Sequence, residues 1–254
     1  MGKYVSKRET FELELAQTVV PTLQKMGFSN ITIRSAYPGL ILPRPHITIT
    51  FNEINHAPKG ISVKTCIDYV KDMDNADYII YIDGSGKIDK KYILDIANVL
   101  INTAVDAVLS ARGKNKAISE DRWKIEKFEL FLLEEKYNKR EFPDGQCGLW
   151  GFKVHKNSEK TINITIHDYG VELNLLAELL KKNCDFKFVQ IEVSNPEDIT
   201  NFKNLEHPIK KLRFLSETEL IKEHHIIASL HKFSKERVKL PNWYIQEVEK
   251  NFNN

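Results

Sequence analysis

The chain has 254 residues, a length that suits one large α/β domain or a domain with an appendage, and 42% of them are hydrophobic, which excludes a disordered chain. A formal net charge of +2 argues against wholesale binding of nucleic acid. Three cysteines, Cys66, Cys147 and Cys184, stand too far apart for a metal spacing or a disulfide framework, so a reducing cytosol is the expected compartment.

Thr10 is placed to cap a helix over residues 11–26, stopped by Gly27 and kinked or split by Pro21. Residues 30–33 alternate as a strand, Pro38-Gly39 and Pro43-Arg44-Pro45 frame a loop, and residues 46–51 alternate again. A helix is expected over 61–73. Residues 78–82 form a short β-branched and aromatic run that reads as a buried strand. Asp83 closes this run and opens a turn through Gly84 and Gly86. It is either the cap of the next helix, over 90–102, or a ligand-facing carboxylate at the carboxyl end of a strand, where open α/β sheets bind. A strand follows over 106–110. Ser119 can cap a long helix over 120–137, after which come a strand at 149–154, a helix at 173–182 and a strand at 186–193. Strands alternating with helices imply a mostly parallel, twisted sheet with helices on both faces.

From about residue 201 the chain becomes helical, basic and aromatic, with Pro208 and Pro241 as breaks. The expected organisation is a sheet domain over 1–196 and a helical C-terminal extension over 197–254. Within the extension, His224, His225, His231 and Lys232 lie beside Ile226, Ile227, Leu230 and Phe233. Glu219, Glu223 and Glu236 dilute the basic face, which favours an amphipathic helix packed on protein over one lying on a membrane. No apolar run reaches the length of about 18 residues that a membrane span needs, and the N-terminus carries charges where a signal peptide is apolar.

Four pieces occur in order: Lys59-Gly60 before a helix, Asp83-Gly84-Ser85-Gly86-Lys87-Ile88-Asp89 at a strand end, Ser110-Ala111-Arg112 at the next strand end, and Asp144-Gly145-Gln146-Cys147-Gly148. The series resembles the GT-A fold (Rossmann-like) nucleotide-diphospho-sugar glycosyltransferases, and among them the polyprenyl (dolichyl) phosphate glucosyl- and mannosyltransferases. Asp144 to Gly148 is the most specific match. Asp168-Tyr169-Gly170-Val171-Glu172-Leu173 resembles the family's next element, and the likeness runs from about 55 to 193. It implies transfer of a sugar from a nucleotide-diphospho-sugar to a polyprenyl phosphate or another hydroxyl or phosphate acceptor, with inversion. It also implies a cytoplasmic enzyme, peripheral at a membrane if its acceptor is a lipid phosphate. The implied nucleotide-sugar contacts are Lys59, Asp83, Ser85, Arg122 and Gln146, and the implied catalytic groups are Asp144, Arg112 and Lys87. The chemistry suits these residue types. A departing diphosphate needs positive charge, an arginine grips phosphate with two parallel bonds, and a carboxylate can hold or deprotonate an acceptor.

The motif departs from the family at its metal. The second carboxylate is Ser85, and Lys87 stands where a further ligand would be. Asp83 alone remains as a ligand, so binding of magnesium or manganese is expected to be weak or absent. The second strand ends in Arg34-Ser35-Ala36 without the family's acid, and the family's late basic loop is replaced by Ser194-Asn195-Pro196-Glu197-Asp198. These losses favour a rival reading, a non-catalytic relative that binds a nucleotide or a partner protein. A nucleotidyltransferase on a similar sheet would want glycines after the first strand, and residues 3–6 are followed by none.

Overall fold

The computed structural model describes residues 14–27, 31–35, 47–52, 60–61, 63–64, 67–68, 77–83, 88–113, 118–139, 142–155, 158–165, 170–193, 206–218 and 220–252. The chain divides into two compact units. The first is Met1–Gly113 with Cys147–Ser194, and the second is Lys114–Gln146 with Asn195–Asn254.

Among the described residues, the first unit has six strands: β1 (Ile31–Ser35), β2 (Ile47–Asn52), β3 (Tyr78–Asp83), β4 (Ala107–Arg112), β5 (Leu149–Lys153) and β6 (Phe186–Ile191). Their order is β1-β2-β3-β5-β4-β6. Five strands run the same way, and β5 runs antiparallel to β3 and β4 between them. The expected mostly parallel sheet is present, with β5 its one reversed strand. The last strand stops at Ile191, two residues short of the expected end, and Val193 instead bridges to Ile88.

One face of this sheet is closed by helices from the N-terminal half. The helix expected over 11–26, kinked or split by Pro21, is described as π-helical Leu15–Val19 followed by α1 (Val20–Lys25). Pro21 lies in the first turn of α1, where its missing N–H costs nothing, and the Val20 N–H reaches back five residues to the Leu15 carbonyl. Thr10, its expected cap, lies outside the described residues. Leu15, Val19 and Leu23 from this segment and Ile93, Ile96 and Leu100 from α2 (Tyr92–Asn102) pack with Ile80, Ile82, Val108, Leu149 and Ile191 of the strands. An ion pair between Lys90 and Glu14 ties the segment to the start of α2. Helical residues between 60 and 68 bury Val63 and Ile67 and leave Ile61 exposed. Before β6, α4 (Val171–Lys181) starts from Gly170 at φ 101°, a left-handed conformation that suits glycine, and is buried from Val171 to Leu180.

The opposite end of β4 carries a second fastening. Asp106 accepts from Lys160 Nζ at 2.7 Å and from the Asp185 backbone at 2.8 Å, and His155 Nε2 lies 3.0 Å away. Burial works to raise the Asp106 carboxyl, but the Lys160 bond, the Asp185 N–H and His155 together outweigh it and hold it below the ordinary range. The starts of β4 and β6 and the segment after β5 are thereby pinned to one carboxylate.

The second unit contains α3 (Glu120–Tyr137), α5 (Glu206–Glu217), α6 (Glu223–Glu236) and α7 (Asn242–Phe252). Ser119 caps α3 as expected, its side chain accepting from Arg122 N at 3.3 Å, and Asn138 ends it in the left-handed region. Nine residues of α3, from Ile125 to Glu134, are buried, so the helix is enclosed nearly all round. Phe233 of α6 lies 5.6 Å from Phe128 and 5.2 Å from Phe131, and Tyr244 of α7 meets Phe128 edge-on at 6.2 Å. Phe233 and Tyr244 are therefore interior residues of this unit. Their apolar surface is spent on α3. The amphipathic reading of α6 holds, with Ile226, Ser229, Leu230 and Phe233 buried. Among the described residues, no helix is long and apolar enough to cross a membrane.

Gly151 shows how closely α2 approaches the sheet. A Cβ there would lie 2.9 Å from Ile96 Cγ2 and 3.0 Å from both Leu100 Cδ1 and the Ile79 carbonyl oxygen. Gly151→Ala is expected to destabilise the protein by about 1–3 kcal/mol, the usual range for overpacking a filled core. Urea unfolding checks this, and an unchanged midpoint would mean that α2 yields freely.

Candidate functional site

The carboxyl ends of the parallel strands form one edge of the sheet, and Asp83 and Arg112 both lie on it, as the last residues of β3 and β4. They leave it on opposite faces. Tyr81 pairs with Trp150 and Trp150 with Leu109, so Asp83 shares a face with Tyr81 and Trp150, whereas Arg112 shares one with Val108 and Ser110. The Ser110 hydroxyl donates to the Leu149 carbonyl at 2.6 Å and is buried, which makes it a fastening of β5.

Asp83 does not cap the following helix. The N-cap of α2 is Lys91, with no side-chain cap, and Asp89 Oδ1 accepts from Lys91 N at 2.9 Å in the turn before it. The Asp83 carboxylate instead accepts from the Tyr81 hydroxyl at 3.0 Å, and its backbone N–H donates to the Gly148 carbonyl at 2.7 Å. A Cβ at residue 148 would lie 2.0 Å from Asp83 Oδ2. The last glycine of the Asp144-to-Gly148 motif is thus the residue over which the Asp83 carboxylate lies. Tyr81 in turn stacks on Trp150, with centroids 4.8 Å apart at 17°, and Trp150 stacks on Phe152 at 5.8 Å. Trp150 is 1% exposed and its indole N–H has no hydrogen-bond partner. The sequence signal for this aromatic column is the alternation of Trp150 and Phe152 along β5.

Lys59, Ser85, Lys87 and Asp168 lie outside the described residues. Among the described residues, no group of three or more His, Cys, Asp or Glu lies close enough to hold a metal ion. Within Asp83 to Asp89 the two carboxylates are both engaged, Asp83 by the Tyr81 hydroxyl and Asp89 by the Lys91 backbone N–H. That donor set fits a resident divalent ion poorly.

Asp144, Gln146 and Arg122 belong to the helical unit. Asp144 is buried, and its Oδ1 accepts from the Gln146 backbone N–H at 2.8 Å, an Asx turn. The Gln146 side chain donates from Nε2 to Glu129 Oε2 at 2.7 Å and accepts at Oε1 from Lys211 Nζ at 2.9 Å. Lys211 also reaches Glu129 Oε2 at 3.3 Å. Arg122 pairs with Glu126 at 2.8 Å on the same helix. Glu129 and Lys211 carried no signal in the sequence. Both sit on helices that read as packing elements, and only the fold brings them to Gln146.

Glu129 is fully buried, and burial raises its carboxyl to about 7, reinforced by Glu126 and opposed by Lys211 and Arg122. The phenol of Tyr244 is pushed up by burial, with the charge of Glu129 adding to the effect.

Two solved structures share the fold. Glucosyl-3-phosphoglycerate synthase from Mycobacterium tuberculosis, in complex with uridine-diphosphate, matches with a TM-score of 0.50 at 12% identity, over 76% of this chain and 80% of that one. Mannosyl-3-phosphoglycerate synthase from Rubrobacter xylanophilus matches with a TM-score of 0.52 at 10% identity, over 78% of this chain and 77% of that one. No family model and no curated protein matches the sequence. At these identities the likeness establishes the fold, a GT-A, Rossmann-like arrangement.

The raised carboxyl of Glu129 has a sign. The folded protein holds a proton that the unfolded chain releases near its ordinary value of 4.5, so stability should fall as pH rises from there through about 7 and then level off. Glu129→Gln should flatten this slope. Chemical denaturation across that window measures it, and an equal slope in both proteins would mean that Glu129 ionises normally.

Proposed function

We propose that this chain is a glycosyltransferase that moves a sugar from a nucleotide-diphospho-sugar to a hydroxyl or phosphate acceptor, a polyprenyl phosphate being the acceptor the sequence motifs favour. The observation that carries the reading is the lodging of the Asp83 carboxylate against Gly148. Two motifs that the resemblance links by chemistry alone meet in space, at the carboxyl edge of a GT-A sheet. A carboxylate lying over a glycine is a built arrangement, since any side chain at 148 would displace it.

In the proposed reaction the acceptor oxygen attacks the anomeric carbon while the bond to the diphosphate oxygen breaks. The diphosphate leaves with the electron pair, and inversion follows from the single displacement. Asp144 is assigned to hold the acceptor and take its proton. Arg112 and Arg122 are assigned to the phosphates, with Lys59 and Gln146 as further contacts to the nucleotide sugar. Arg122 would contribute from its pair with Glu126, which engages its Nε. A divalent ion, where one binds, would neutralise the diphosphate. With Ser85 in place of a carboxylate, that task passes largely to Lys87, a point charge of less geometric control.

Thermal shift with nucleoside diphosphates and nucleotide sugars tests the reading. A ligand near 100 times its Kd should raise the melting temperature by about 5 °C. Asp83→Asn and Gly148→Ala should each weaken binding by at least about tenfold, or about 1.4 kcal/mol. Binding by none of these ligands, with or without manganese, would leave the rival non-catalytic scaffold.

Calorimetry separates lysine from metal. Lys87→Ala should weaken diphosphate binding in the absence of metal, and Ser85→Asp with Lys87→Gln should create or strengthen manganese binding. Tight manganese binding by the unaltered protein, lost in Asp83→Asn, would refute the assignment to Lys87.

A further inference from the structure

The loop leading to Gln146 is fastened to α3 at three places. Lys127 Nζ donates to the Phe142 and Pro143 carbonyls at 2.8 and 3.0 Å. Glu134 Oε1 accepts from the Phe142 backbone at 2.5 Å. Glu129 takes the Gln146 side-chain amide. A fourth fastening comes from much later in the chain, where Lys211 of α5 holds the other end of the same amide.

These two groups read the amide in opposite senses. An ammonium can only donate, so Lys211 selects Oε1 and leaves Nε2 to donate to Glu129 Oε2. The Gln146 amide is thereby held in one orientation, and its backbone N–H supports the turn that carries Asp144. Lys211 is 5% exposed and Glu129 fully buried. Burying this pair is costly, and apolar residues of similar volume would pack the helices at least as well. What the pair supplies and apolar residues cannot is direction. Glu129 Oε1 and the Tyr244 hydroxyl, both buried, have no hydrogen-bond partner, so the network carries polar atoms beyond those its packing uses.

We infer that Lys211 and Glu129 are positioning residues for the Asp144–Gln146 turn, and that the C-terminal helices take part in setting the acceptor side of the reaction. The inference rests on the glycosyl-transfer reading for its consequence in catalysis, but not for its geometry.

The test compares the full-length wild type with Lys211→Met, Lys211→Arg and Glu129→Gln. Hydrogen exchange in the peptide spanning residues 142–148 should speed up by about tenfold in Lys211→Met, the effect of losing a bond to a charged donor. Exchange in α3 and α6 should be unchanged, and Lys211→Arg should restore most of the protection because it keeps a charged donor. In turnover of UDP-glucose or GDP-mannose, Lys211→Met should lower kcat about tenfold and leave the donor KM unchanged. Unchanged exchange at 142–148, acceleration spread evenly over α3 and α5, or a raised KM with intact kcat would each overturn the positioning role. A wild type that neither binds nor cleaves any nucleotide sugar would overturn glycosyl transfer instead, and the exchange result would still decide whether Lys211 positions the turn.

Discussion

The Asp83 carboxylate and a side chain at residue 148 cannot occupy the same volume. Much of the sheet unit follows from that exclusion. Gly148 immediately precedes β5, the strand that runs against its neighbours, and its carbonyl takes the Asp83 N–H. The returning chain therefore enters the sheet between β3 and β4 at the point where the carboxylate emerges. Once β5 is seated, Trp150 must stack on Tyr81, and the Tyr81 hydroxyl must meet Asp83. The acid, its hydrogen-bond donor and the ring behind that donor form one rigid column. Gly151, one residue further along, lets α2 close over the other face.

The helical unit solves a different problem. An α-helix enclosed on most sides would ordinarily be apolar throughout, yet α3 buries Glu126, Glu129 and Glu134. Each is answered individually, by Arg122, by Lys211 with Gln146, and by the Phe142 backbone. Such networks stabilise little once desolvation is counted. Their effect is to specify which loop lies against the helix and in which register. The apolar packing of Phe128, Phe131 and Phe233 supplies the cohesion that the acids do not.

The order and kind of the sheet elements were legible because the signals are local. Tyr78 to Ile82 announces a strand by composition, and Ser119 announces a helix start by its hydroxyl. The reversal of β5 was not legible, since strand direction depends on pairing with distant segments. The π-helical turn at Leu15–Val19 was legible only as a disturbance around Pro21. At the candidate site, Asp83 and the Asp144-to-Gly148 segment could be picked out because glycine and carboxylate spacing is visible in one dimension. Glu129 and Lys211 could not be, because a charged residue on an amphipathic helix looks like a solvated one until the fold closes around it.

The helical unit is assembled from two stretches of chain separated by part of the sheet. Glu129 therefore leaves the ribosome 82 residues ahead of the lysine that matches it. Until Lys211 arrives, nascent α3 lacks its buried cation and also the rings of α6 and α7 that cover Phe128. Domains commonly fold as units while synthesis proceeds, and here the order of emergence forbids it for one of the two. The described strands of the sheet have all emerged with Ile191, whereas the helical unit must wait for α7, which ends at Phe252. Any premature stop after β6 would release a chain whose α3 exposes an apolar, acid-studded surface, a substrate for chaperones and proteases rather than a smaller working protein.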